Sequence, residues 1–302
     1  MNNANNEWNV RDSASDRLFN GINTVGLALL FVAIVYPLLY IVSSSFSSSD
    51  AVISGKVWLW PVDPTLDGYK AIFRNSLIVS GFANSLFYMV VGTAVNVVMT
   101  VLAAYPLSRK DFAGRHAYML LIVFTMMFDG GLIPRYMLIK DLGMLDTRWA
   151  LIVPAALGAF QVIITRTYFK ISLPEELLES AQMDGCSDFR YLWRFAIPLS
   201  APIIAVISLF YAVGHWNQFF SALIYLKSSN LYPLQIVLNT ILVRNNVDMT
   251  MFGDITETAK MEGLRELLKY SLIVISVAPM LVIYPFVQKH FVKGVMIGSL
   301  KG

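Results

Sequence analysis

"SLPEELLESAQMDGCSDFRYLWRFAIPLSAP" occupies Ser172–Pro202, with an apolar run of the chain on each side of it. It carries seven charged side chains: Glu175, Glu176, Glu179, Asp184, Asp188, Arg190 and Arg194. The order of residue types predicts two short helices. Ser172 and Glu175 have the spacing of a capping box, and Pro174 is tolerated in a first helical turn. Glu175, Glu176 and Glu179 sit near the positive end of the helix dipole. Gly185 stands where a helix would end in a left-handed residue. Ser187 and Asp188 can cap a second helix, expected to stop before Pro198. Ala181 and Gly185, four apart, share one face and leave room for another surface. Leu177, Leu178, Phe189, Leu192 and Trp193 offer more apolar area than so short a unit can bury by itself. Either the stretch docks into a partner, or it is an amphipathic hairpin lying on lipid.

The flanks decide what kind of chain carries this insert. Of 302 residues, 56% are hydrophobic and 14% charged, with mean hydropathy +0.60. A soluble domain carries about 25% charged residues, so the composition predicts an all-α polytopic membrane protein. A spanning helix needs about 20 mostly apolar residues for about 30 Å of hydrocarbon. Residues 22–42, 82–107, 117–139, 149–165, 199–225 and 270–288 meet that need, giving six spans. The third is interrupted by Asp129, Gly130, Gly131, Pro134 and Arg135. The serine-rich run at 43–49 reads as a span exit, and the Trp58 and Trp60 rings beside prolines suit the headgroup interface. The expected organisation is an N-terminal segment, 1–17, and one transmembrane domain, 18–302. That domain holds the charged loop at 172–200 and long outer segments at 43–80 and 226–269.

Arg11, Arg17, Arg109, Lys110, Arg115, Lys289, Lys293 and Lys301 lie in short segments that hug the spans. By the positive-inside rule they place both termini and the 172–200 loop in the cytoplasm. The polar, mixed-charge N-terminus lacks the pattern of a signal peptide. A net charge of +3 without a basic stripe excludes nucleic acid as a partner. One cysteine, Cys186, allows no internal disulfide.

The charged stretch has a known likeness. "ESAQMDGCSDFRYLWRFAIPL" resembles the EAA motif of ABC-importer permeases, E-A-A-x-x-x-G followed by I-x-L-P. Glu179, Ala181, Gly185 and Pro198 match in register; Ser180, Phe195 and Ile197 are mild departures. Asp184 completes the "DG" pair common in sugar permeases. "DFAGR", "GGLIPRYMLIKDLGMLDTRWALIVP", "FYAVGHWNQFFSALIYL", "LYPLQIVL" and "KGVMIGSLKG" extend the likeness over nearly the whole chain. They resemble the maltose-type (type I) carbohydrate permeases, in particular those serving complex oligosaccharides such as alginate or pectin fragments.

The resemblance implies a mechanism. The EAA segment of such permeases forms coupling helices seated in a groove of a cytoplasmic ATPase dimer. ATP-driven closure of that dimer rocks the spans between inward- and outward-facing states. A binding protein outside the membrane delivers substrate, and a second, related permease completes the pore. The implied coupling residues are Glu179, Ala181, Asp184, Gly185 and Pro198. The chain itself would need no cofactor, ATP and magnesium belonging to the partner ATPase. The C-terminal tail would reach toward the ATPase, unless it is a frayed chain end.

The residues keep other readings open. Asp129 and Arg135 either border the translocation path at a broken helix, or follow a span that ends near Phe128 at the outer interface. His215, Trp216, Asn217 and Gln218 either line the path or pack between helices. Lys227–Lys269 either meets the binding protein or is a solvated loop. A G-x-x-x-x-G-K-[ST] phosphate loop, an H-E-x-x-H pair and a G-x-S-x-G elbow are all absent from the sequence. The three function classes are therefore a non-catalytic permease subunit of an ATP-driven importer in a bacterial cytoplasmic membrane, a secondary transporter of a small solute, and a membrane-embedded enzyme. A secondary transporter calls for buried ionisable pairs, and an enzyme for a catalytic constellation.

Overall fold

A computed structural model describes the backbone of residues 13–242 and 255–299, and the side chains of 13–242 and 263–285. The described residues are mostly helical, without a strand. They fall into two packed units, Met1–Ala71 with Phe252–Val274 and Ile72–Met251 with Ile275–Gly302.

The first unit holds α1 (Ala14–Ser45), α2 (Ser49–Ile53), most of α3 (Asp67–Arg74) and the first part of α15 (Ile255–Ser299). Ser13 caps α1, its hydroxyl accepting from the Asp16 amide. Along α1 only Ser43, Ser44 and Ser45 are buried. The serine run is more than a span exit. Ser43 donates to the Leu59 carbonyl at 2.6 Å, and Ser47 accepts from the Val62 amide at 3.0 Å. Ser45 pairs with the Tyr69 hydroxyl at 2.8 Å. Small hydroxyls replace the missing backbone partners where the chain leaves the helix. Ala51, Val52, Val57 and Leu267 form the core, with Tyr40 edge-on to Tyr270.

The second unit is built round α4 (Ser76–Ser108), capped by Asn75. Its buried residues include Gly81, Ser85, Met89, Gly92, Asn96, Thr100 and Ala104, a stripe at helical spacing whose small members admit neighbours closely. The stripe packs mainly on α12 (Ala201–Trp216) and α8 (Ala159–Ser172). A Cβ on Gly92 would stand 2.4 Å from the His215 ring, so that contact requires glycine. Near its start, α4 also holds the chain that leads into α14 (Leu234–Leu242). Asn84 donates to the Asn230 carbonyl at 2.7 Å, and Ser85 accepts from the Leu234 amide at 2.8 Å.

Among the described residues, three helices are long and apolar enough to cross a membrane: Ala14–Ser45, Ser76–Ser108 and Gly263–Pro285. Three bent pairs raise the number to six if each is one span. Arg115–Met127 (α5) and Leu132–Asp141 (α6) meet at 114°. Trp149–Ala155, formed by α7 (Trp149–Ile152) and a 3₁₀ turn, meets α8 at 49°. Asp188–Leu199 meets α12 at 81°. The spans thus run longer than the apolar windows, and the fifth breaks at Asn217 before α13 (Phe220–Tyr225). The segments expected as long outer loops are partly helical, holding α2, α3, α14 and the start of α15. The side chains of 243–260, read as the polar core of the second loop, and of the C-terminal KGVMIGSLKG lie outside the described residues.

Candidate coupling segment and spans

The charged stretch folds as α9 (Glu175–Met183), a glycine turn, α10 (Asp188–Tyr191), a π turn over Leu192–Ala196 and α11 (Ile197–Leu199). Gly185 takes the left-handed conformation expected of it, φ +73°. Its amide donates to the Gln182 carbonyl at 2.9 Å, and the Cys186 amide to that of Ala181 at 2.9 Å. Ser187 caps α10, accepting from the Arg190 amide.

Three expectations fail here. The capping box at Ser172 does not form, because Ser172 ends α8. Pro174 biases Leu173 away from the helical region, so both stay extended and α9 starts only at Glu175. The second helix does not stop before Pro198. The π turn widens the ladder ahead of it, and Pro198 sits in the first turn of the renewed α-helix, where a missing amide costs little. Ala181 and Gly185 do not share an open face, since α9 ends at Met183 between them. Ala181 turns inward and is buried with Tyr105, Phe169 and Tyr191, whereas a Cβ on Gly185 would meet open space.

Outward, the segment bears Met183, Phe189 and Trp193, exposed at 89%, 66% and 53%. Glu179, Asp184 and Pro198 are exposed as well. Inward it rests on the end of α4, through contacts that sequence reading missed. Arg109 caps α4 and grips Asp111 at 2.7 and 2.9 Å, the Tyr105 hydroxyl at 3.2 Å and Asp188 of α10 at 3.2 Å. Lys110 pairs with Glu175. These bonds hold the Asp111 carboxyl below its ordinary value and push the Arg109 guanidinium and the Lys110 ammonium up. Between α4, α8 and α9 lies a cavity of about 430 Å³ lined by Arg109, Lys110, Lys170, Glu175, Glu176 and Glu179 among others. The signal was the charge cluster Arg109-Lys110-Asp111 directly after an apolar span, which had served only to orient the chain.

The candidate path residues lie elsewhere in this unit. Asp129 and Arg135 are exposed and paired at 2.6 Å across the bend between α5 and α6. Asn217 is the exposed end of α12, its side chain donating to the Val213 carbonyl at 2.9 Å. Trp216 is buried, edge-on to Phe82, and donates to the Ser276 carbonyl at 2.9 Å. His215 is also buried. Asn96 Oδ1 accepts from its Nε2 at 2.7 Å, while Asn96 Nδ2 donates to the Ala155 carbonyl. Tyr211 accepts from the Gly158 amide at 3.1 Å and meets Thr100 at 2.7 Å. Gln218 donates to the Leu151 carbonyl at 3.1 Å. Two polar groups of the fifth span, Tyr211 and Gln218, and one of the second, Asn96, thus serve the backbone at or near the break of the fourth span. Among the described residues no group of His, Cys, Asp or Glu could hold a metal ion.

Comparison with known proteins sets this architecture in a family. Protein LplC of Bacillus subtilis is 41% identical over 293 residues, covering 97% of this chain and 98% of its own. The polygalacturonan/rhamnogalacturonan transport system permease protein YtcP of the same organism is 42% identical, with 95% and 99% covered. A chain in the crystal structure of a bacterial ABC transporter involved in the import of the acidic polysaccharide alginate superposes with TM-score 0.85 at 36% identity, over 93% of this chain and 99% of that one. Residues 8–297 match the family described as binding-protein-dependent transport system inner membrane component. The chain is a member of that family, an all-helical, multi-pass membrane permease of ABC importers.

Proposed function

We propose that this chain is one of two related permease subunits of an ATP-driven importer of oligosaccharides, acidic ones in particular. An ATPase dimer binds the segment 172–200 on the cytoplasmic side, where both termini lie, and an extracytoplasmic binding protein docks on the opposite side. The chain hydrolyses nothing itself; ATP and magnesium stay with the ATPase. The substrate class follows from relatives named for polygalacturonan/rhamnogalacturonan transport and for alginate import.

The observation that carries the mechanism is the helix–glycine turn–helix at 175–199. Its apolar side chains Met183, Phe189 and Trp193 point outward amid charge, while its other face is seated on α4. A lipid-surface hairpin would gather its apolar residues on one face. Here they split between an inner seat and an outer knob, as docking requires. Glu179 and Asp184 supply polar contacts to the ATPase, Gly185 the tight tip, Ala181 the inner seat and Pro198 the start of the renewed helix. Asp129, Arg135 and Asn217 border the path through the spans, with Trp216 stiffening its wall.

The test is replacement of Gly185 by leucine. The new Cβ has space, but φ +73° disfavours it, by about 1–3 kcal/mol. The expected variant reaches the membrane and loses oligosaccharide uptake while ATP hydrolysis by the complex persists. Normal uptake would sink the coupling assignment, and uptake by the purified chain without any ATPase would favour a secondary transporter instead.

A further inference from the structure

The coupling segment is joined to the spans along the chain at two places. Both are bends: the extended Leu173–Pro174 pair after α8, and the 81° turn at Ser200 before α12. Bends of this kind pass on motion poorly. The side chains provide a third joint. We propose that Arg109 and Lys110, at the end of α4, clamp the coupling segment, so that its displacement is delivered to α4 directly. This rests on the importer reading above. Both are positioning residues, acting through the helices they hold.

The geometry carries the proposal. Asp188 Oδ1 accepts from Arg109 of the α4 cap at 3.2 Å and from Gln182 of α9 at 3.3 Å, so one carboxylate oxygen joins α4, α9 and α10. The Arg109 side chain is only 13% exposed, lodged against the Tyr105 ring. Its own carbonyl accepts from Arg115 at 3.0 Å, fixing the turn that carries it. Lys110 holds the first turn of α9 through Glu175. Arg166, midway along α8, donates to the Leu107 carbonyl at 3.1 Å, so α8 is tied to the same end of α4. Beneath these polar ties, Val101, Ala104, Tyr105 and Leu107 pack with Ala181, Tyr191, Leu192 and Ala196 as one buried cluster. An exposed ion pair alone does little. Several charge-assisted bonds over a packed seat restrict how the segment can slide or tilt. Because α4 is also the helix on which α8, α12 and α14 pack, the clamp feeds the element with the widest reach in its unit.

The experiment compares variants of the assembled complex in proteoliposomes, reading oligosaccharide taken up per ATP hydrolysed with the loaded binding protein present. For Arg109→Ala the ratio is expected to fall about tenfold, a typical coupling free energy between sites, and Arg109→Lys to lie between it and the wild type. Lys110→Glu, facing Glu175, is expected to lower the ratio, and Lys110→Glu combined with Glu175→Lys to restore it. That exchange decides the matter if Arg109→Ala fails to assemble. In a Cys186→Ser background, Lys110→Cys with Glu175→Cys is expected to cross-link readily and still transport when locked. Wild-type ratios for Arg109→Ala and Lys110→Glu, or a cross-link that stops transport, would overturn the clamp. Absence of ATP-dependent uptake in the wild type would instead overturn the importer reading.

Discussion

The third span bends by 114° and the fourth by 49°, and the two breaks are held by different means. The break between α5 and α6 looks after itself. Asp129 accepts from the Gly131 amide at 2.8 Å and from Arg135 at 2.6 Å, all within seven consecutive residues and all exposed. The break at Ala155–Gly158 is served from a distance. Its freed backbone groups are satisfied by Asn96 of α4 and by Tyr211 of α12, with Gln218 on the Leu151 carbonyl just before it. Irregular backbone at membrane depth persists only where protein or water satisfies it. The two spans take these two routes, and the difference decides which break is built into the helix packing and which can rearrange alone.

The sharpest way to break this contrast is Asn96→Ala. It takes the Asn96 partner from the buried His215 ring and leaves the Ala155 carbonyl, on an exposed residue, to water, expected to cost up to about 3 kcal/mol. Thermal melting of the solubilised complex followed by fluorescence should fall by several degrees. An unchanged melting curve would mean that the fourth span does not depend on α4. Tyr211→Phe is milder. It removes the acceptor of the Gly158 amide and the partner of Thr100 while keeping the ring, expected to cost about 1–2 kcal/mol. A combined loss in Asn96→Ala/Tyr211→Phe equal to the sum of the two single losses would contradict a shared role. A combined loss that differs from the sum of the two is the expected sign of one network.

The same contrast explains what could be read from the chain without coordinates. The third-span break was legible because Gly130, Gly131 and Pro134 are adjacent in sequence and each is a local turn signal. The Gly185 turn and the Ser187 cap were legible for the same reason. The fourth-span break was not, because its supports lie 59 residues upstream at Asn96 and 53 downstream at Tyr211. Their only trace was polar residues spaced four apart in apolar helices, Asn96 with Thr100 and Tyr211 with His215. The Arg109 clamp escaped likewise: Asp188 is 79 residues away. Ser172 shows the opposite error. Its capping-box spacing to Glu175 was real, but the stiffness of Leu173-Pro174 postponed the helix past the reach of the cap.

The smallest effect is expected at Asp129. In Asp129→Asn the side chain can still accept from the Gly131 amide, and only the charge facing Arg135 is lost. Both groups are exposed, so water and ions replace much of what the pair contributes. The melting temperature should not move measurably. Uptake is a different matter if these residues border the path. Freed of its carboxylate, Arg135 presents an unopposed cation where an acidic oligosaccharide passes. Uptake of an oligouronide should then shift in KM, and uptake of a neutral oligosaccharide should not. A melting loss as large as that of Asn96→Ala would erase the distinction between a self-supported break and one built into the packing. Equal changes for charged and neutral sugars would remove Asp129 and Arg135 from the path.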